Sequence, residues 1–147
     1  MFLNILAALD GSSHSLKACE IAADLAVNYK ANLILVTVVN PNYLPEELRR
    51  FVKSEHMQDT DASSLQFIAS NILDEARDLL KGKKLTSVEK IIGEGFASDV
   101  LVEIAMEKKC DLIVLGTRGL SNFANVVLGS VSHRVTNTAA CSVLIVR

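Results

Sequence analysis

Aromatic side chains make up only 5% of this 147-residue sequence, although half of it is hydrophobic. The core must therefore be aliphatic, and the length suits one domain spanning residues 1–147. Cysteine is scarce too. Cys19, Cys110 and Cys141 are odd in number and widely spaced, so they read as reduced thiols in apolar stretches rather than a disulfide framework. Positive charge is not in excess: the net charge is −2 and the basic residues are scattered, which argues against nucleic acid as a partner. No segment reaches the roughly 20 apolar residues that a membrane span needs, and no charged n-region with an apolar h-region precedes the first strand. A cytoplasmic protein without a membrane partner is expected. There is no Gly-Lys-Ser/Thr sequence, which excludes a Walker-type loop. His14 and His56 lack a carboxylate or cysteine at ligand spacing, so no metal cluster is visible.

What the chain does contain is an alternation of strand-like and helical patterns. Phe2 to Leu9 is an apolar run of strand length, and His14 to Tyr29 carries Leu16, Cys19, Ala22, Ala23, Ala26 and Val27 at helical spacing. Ala31 to Val39 repeats the strand signal before Asn40-Pro41 ends it. Between Pro41 and Ser64 the pattern fades, with a candidate short helix over Pro45 to Val52. A long helix is predicted from about Ser63 to Leu80, stopped by Gly82, then a strand from Val88 to Ile92. A helix starting at Ser98 or a neighbour, a strand from Asp111 to Leu115, a helix from Ser130 to Thr138 and a strand from Val143 to Val146 complete the chain. Strands alternating with helices imply a parallel sheet covered on both faces, hence a three-layer α/β/α class.

The most informative segment runs from Gly116 to Ser130, after the apolar Leu112-Ile113-Val114-Leu115. Its spacing is glycine, two residues, glycine, nine residues, then Gly129-Ser130. Gly116 and Gly119 would let the backbone turn and approach a ligand, and Gly129-Ser130 opens a helix whose first N–H groups are unpaired. Each glycine alone fits an ordinary strand exit or cap. Together with Asp10-Gly11-Ser12 after Ile5-Leu6-Ala7-Ala8-Leu9, and with the closing Cys141-Ser142-Val143-Leu144-Ile145-Val146, the pattern resembles the nucleotide-binding branch of the universal stress protein family over nearly the whole chain. The chain departs from that family's common pattern at Ser142, where proline is frequent, and at Gly95-Phe96, which stands in place of a Gly-Xaa-Pro-like turn.

The resemblance implies a Rossmann-like, adenine nucleotide alpha hydrolase-like sheet of five strands in the order 3-2-1-4-5. Ligands bind such sheets beyond the carboxyl ends of the strands, where the winding reverses. It also implies ATP or AMP as ligand, with Mg²⁺ accompanying ATP. Asp10 would accept from a ribose hydroxyl, although it equally fits a turn with Gly11-Ser12 or a helix cap. Ala8 and Leu9 would wall the adenine, and the backbone of Val38 would read it; a core valine is the other reading. Gly119, Gly129, Ser130, Val131 and Ser132 would offer phosphate donors at a helix N-terminus. Arg118 either adds charge there or is a solvated loop residue. With Val131 and Val135 on the buried face, His133 is expected to face solvent or a partner subunit.

Two classes of function follow. One is a stress or regulatory protein whose nucleotide state is read by an oligomer or by an unidentified protein partner. The alternative is a slow Mg²⁺-dependent ATPase or nucleotide hydrolase using the same pocket. Asp10 is assigned to ribose and no other residue declares itself as a base, although Glu55, His56 and Asp59 lie in the segment after Pro41. The resemblance further implies a homodimer along Val143–Val146, an edge strand in the implied order.

Overall fold

A computed structural model describes residues 1–42, 62–117 and 128–147. The candidate helix over Pro45 to Val52, the residues Glu55, His56 and Asp59, and both Arg118 and Gly119 lie outside the described residues. The elements in chain order are β1 (Asn4–Leu9), α1 (Ser13–Tyr29), β2 (Asn32–Val39), α2 (Ala62–Leu79), β3 (Ser87–Glu94), α3 (Ala97–Glu107), β4 (Leu112–Gly116), α4 (Ser130–Thr138) and β5 (Ser142–Val146). All pairings are parallel and the sheet order is β3-β2-β1-β4-β5, as the resemblance implied.

The period-two alternation of β1 sorts its side chains between two cores. Ile5, Ala7 and Leu9 join the α1 and α2 side, with Ala18, Ala22 and Ala26 of α1 and Leu73 and Ala76 of α2. Leu6 faces the other way, with Leu101, Ile104 and Ala105 of α3 and Val135 of α4. Alanine at the contact positions of α1 lets that helix lie close over the middle of the sheet, and alanine is also the best helix former. Lys30, in the left-handed conformation, closes α1 by donating its N–H to the carbonyls of Ala26 and Val27.

Element boundaries differ from the sequence reading by one or two residues, for identifiable reasons. β1 starts at Asn4: the N–H groups of Leu3 and Asn4 donate to the Asp111 carboxylate at 2.6 and 2.9 Å, and Phe2 packs edge-on against Tyr29, with ring centroids 5.1 Å apart. Strand β3 runs three residues longer because all eight of its residues pair with β2 whatever their side chains. Cys141, expected in the core, is half-buried, since it precedes an edge strand.

The two sheet edges are treated differently. β3 carries Glu89, Lys90 and Glu94, and ion pairs Lys90–Asp74 (2.7 Å) and Lys108–Glu89 (2.6 Å) bracket it. Such charges blunt an edge against further pairing. β5 has none: Val143, Leu144 and Ile145 are half-buried and apolar.

Candidate functional site

The winding reverses between β1 and β4, which are hydrogen-bonded neighbours. Their carboxyl ends, at Leu9 and Gly116, open onto two junctions that the hydrogen bonds define in detail.

At the β1–α1 junction the chain turns through Gly11, whose φ of +84° lies in the left-handed region that favours glycine. Asp10 Oδ1 accepts from the N–H of Ser12 at 2.9 Å and from its hydroxyl at 2.6 Å. Ser12, not Asp10, caps α1: its Oγ accepts from the N–H of Ser15 at 3.2 Å. Ser15 Oγ in turn donates to the Ser12 carbonyl at 2.9 Å. Of the alternatives for Asp10, the turn is therefore real and the helix cap is not. The turn engages one carboxylate oxygen, while Oδ2 has no hydrogen bond among the described residues. Asp10 is half-buried, so Oδ2 stays an available acceptor.

At the β4–α4 junction Gly116 is still in the strand, and its surroundings explain the glycine. A Cβ there would lie 2.9 Å from His14 Cβ and 3.0 Å from the His14 carbonyl carbon. The first turn of α1 approaches Gly116 this closely, which by itself accounts for the glycine. Beyond it, the N–H of Thr117 donates to the Val146 carbonyl at 2.9 Å, and the Thr117 carbonyl accepts from the N–H of Gly129 at 2.6 Å. Gly129 is the N-cap of α4, so its donor is already engaged there. The first N–H of the helix to find a carbonyl is that of His133, which donates to Gly129 at 3.0 Å. The N–H groups of Ser130, Val131 and Ser132 occupy the first turn, where helix geometry provides no acceptor. They remain as donors beside the positive end of the helix dipole.

The side chains of this turn divide differently from the sequence reading. Ser132 is buried and its hydroxyl donates to the Gly116 carbonyl at 2.7 Å, whereas Ser130 is exposed. Val135 is fully buried as expected, Val131 is only half-buried because Ser132 takes the inward place, and His133 is exposed.

β2 supplies the third component. The N–H of Gly95 donates to the Val39 carbonyl at 2.9 Å, so Val39 addresses β3. Alternate residues of a strand within a parallel sheet address opposite neighbours, which turns Val38 toward β1. β1 makes its last pairing at Leu9, opposite Thr37. The Val38 carbonyl therefore faces the space beyond the end of β1. Ala8 is half-buried on the α3 and α4 side, whereas Leu9 is buried under α1. Ala8 and Leu9, expected together as one wall, thus face opposite sides of the sheet.

The sequence reading missed Ser12 and Thr117 as organisers of the site. Ser12 carries a legible signal, a serine just before a helical pattern. Thr117 carries none, since its two backbone partners lie far along the chain. Among the described residues no group of three or more His, Cys, Asp or Glu could hold a metal ion.

A profile described as the Universal stress protein family matches residues 1–147. The universal stress protein YxiE of Bacillus subtilis (strain 168) is 32% identical over 162 aligned positions, covering 100% of both chains. Among solved structures, a universal stress protein in complex with cAMP superposes with a TM-score of 0.73 at 32% identity, covering 99% of this chain and 97% of that one. The UspA protein of Lactobacillus plantarum shares the fold, with a TM-score of 0.81 at 23% identity, covering 99% of this chain and 97% of its own.

Proposed function

The chain belongs to the universal stress protein family, and on that premise we propose that it is an adenine-nucleotide-binding stress-response or regulatory protein whose occupancy is read by an oligomer or a protein partner. One observation carries the reading: an acceptor for an amine, an acceptor for a hydroxyl and a set of anion donors lie in sequence along the carboxyl ends of β2, β1 and β4. The Val38 carbonyl suits the adenine amino group, with Ala8 as a wall. Asp10 Oδ2 suits a ribose hydroxyl. The N–H groups of Ser130, Val131 and Ser132 and the Ser130 hydroxyl suit phosphate. In this reading Gly116 and Gly129 build the geometry without donating to the ligand, and Arg118 and Gly119 are assigned to the phosphates by their place in the glycine motif alone. The relative solved with cAMP carries the same adenosine moiety and phosphate. AMP and ATP differ from it only at the phosphates.

Mg²⁺ enters this reading only with a triphosphate. No carboxylate cluster among the described residues would hold the ion, so phosphate oxygens would be its main ligands. Binding rather than turnover is the proposed activity.

Calorimetry with adenosine, AMP, cAMP and Mg²⁺-ATP tests the reading directly, alongside mass analysis of any small molecule released on denaturation. Binding of at least one nucleotide below millimolar concentration is expected. No heat with any of the four, and no released nucleotide, would overturn it. Phosphate release from ATP should stay far below the usual enzyme range of about 1 to 1000 per second. A rate near one per second that vanishes in Gly129→Val would make the protein an enzyme.

A further inference from the structure

Phe96 is the N-cap residue of α3, is 72% exposed, and makes no side-chain capping bond. Two local preferences are forgone at this one position. A serine, threonine, aspartate or asparagine there would satisfy a free helix N–H, typically worth about 1 kcal/mol. A large aromatic ring would ordinarily bury its surface. Neither the stability of α3 nor the core explains phenylalanine here.

Its place in the fold does. The preceding residue, Gly95, is hydrogen-bonded to Val39, so Phe96 leaves the sheet at the carboxyl end of β3, one strand over from the Val38 carbonyl. Helices α3 and α4 cover the same face of the sheet and are tied by the Arg134–Asp99 ion pair at 3.1 Å. Both N-termini therefore rise on one side of the crevice. Reading across the strand ends, the order is Phe96 after β3, Val38 on β2, Asp10 after β1, and the first turn of α4 after β4. Neighbouring strands lie about 4.8 Å apart, so the end of β3 is one spacing across from β2 and about 14 Å from the end of β4, and Phe96 stands three residues beyond Gly93, the register partner of Val38.

From this order we infer that Phe96 is a base-stacking residue, setting affinity for the purine ring of the bound nucleotide. The inference rests on the nucleotide reading above and adds a residue and a role to it. Phe96 follows the strand next to β2, on the base side of the crevice, and three strand positions separate it from the phosphate donors after β4. Its contribution should therefore be the same for adenosine, AMP, cAMP and ATP. Aromatic–base stacking measured by alanine substitution corresponds to about 5- to 150-fold in affinity.

The test uses calorimetry with adenosine and AMP on the wild type, Phe96→Ala and Phe96→Trp, with thermal unfolding as a check on the fold. Because the chain contains no tryptophan, Phe96→Trp also installs a single fluorophore at the position in question. Phe96→Ala should lose at least about 5-fold for both ligands with an unchanged unfolding midpoint. Phe96→Trp should retain binding, and adenosine but not ribose 5-phosphate should change its fluorescence. If the wild type binds and Phe96→Ala binds equally well, or Phe96→Trp fluorescence ignores adenosine, the stacking role is overturned while nucleotide binding stands. If the wild type binds neither ligand, both readings fall.

Discussion

The hydroxyl of Ser132 donates to the carbonyl of Gly116 across 2.7 Å, joining the first turn of α4 to the last residue of β4. Both residues are buried, and the bond from Gly129 to Thr117 runs beside it. The position of the free helix donors therefore depends on a hydroxyl that itself faces inward. Ser132→Ala leaves the Gly116 carbonyl buried without this partner, a loss of about 1–3 kcal/mol. The urea midpoint should fall accordingly, and affinity for AMP should fall with it. An unchanged midpoint would show that the bond contributes nothing.

Gly116→Ala should destabilise for a different reason. The added methyl meets the backbone of His14 as well as its Cβ, and a helix turn cannot rotate out of the way as a side-chain tip can. Overpacking of this kind costs about 1–3 kcal/mol. Denaturant titration of the purified variant would reveal it, and a wild-type midpoint would mean that α1 yields easily.

The proposed roles of Asp10 are separable, one per carboxylate oxygen. Asp10→Asn keeps an acceptor for Ser12 and should hold the fold, but it exchanges the free oxygen for an amide donor. Adenosine, AMP and ATP should all bind more weakly, by similar factors. Asp10→Ala should add a loss of stability of about 1 kcal/mol or more, from the broken turn. A loss confined to ATP would point to metal binding and sink the ribose assignment.

A homodimer along β5 is expected, since this edge is apolar and uncharged. The bond from Thr117 to the Val146 carbonyl shows that Val146 addresses β4. By alternation, the N–H groups of Val143 and Ile145 face the open edge. Ile145→Pro removes one of these outward donors without touching the ladder to β4. Sedimentation should show the wild type as a dimer at micromolar concentration and the variant as a monomer. A monomeric wild type would contradict the pairing.

Burial pushes the Cys19 thiol from its ordinary value of 9.0 up to about 12, and Cys110 up to about 11. The unfolded chain ionises first, near pH 9, so it binds fewer protons than the folded state above that pH. The stabilisation is complete below pH 9 and is lost as pH rises toward 11 and 12. Unfolding midpoints measured from pH 8 to pH 11 should fall, and Cys19→Ser should flatten the upper part of that decline. At neutral pH only the half-buried Cys141 should react with a thiol reagent before unfolding. Rapid modification of Cys19 in the folded protein would be inconsistent with its burial.

Much of the fold was legible locally. The apolar runs ending at Leu9, Val39 and Leu115 each proved to be a strand, and the alanines of α1 marked its buried face. The strand order was available only through the family resemblance, because nothing in the spacing of residues 1–39 says that β4 will lie beside β1. At the candidate site, Asp10 and the Gly129-Ser130 helix start were visible as residue types at a strand end and a helix start. Which of their atoms are left without an intramolecular partner was not. The sequence reading gave Gly129 a donor for phosphate, yet that donor is bound to Thr117, and it paired Leu9 with Ala8 as one wall, yet the two face opposite cores.

Sequence by itself determined the α/β class, the places of the strands and helices, and the family, because hydrophobic period and turn chemistry are written within a few neighbouring residues. Only the tertiary structure decided which polar atoms remain free for a ligand. A hydrogen bond such as Thr117 to Val146 joins residues that the chain keeps far apart, and each such bond removes a donor or acceptor from the site. What is left over, Asp10 Oδ2, the Val38 carbonyl and the first N–H groups of α4, is a remainder of the whole packing, which no local stretch of the chain specifies.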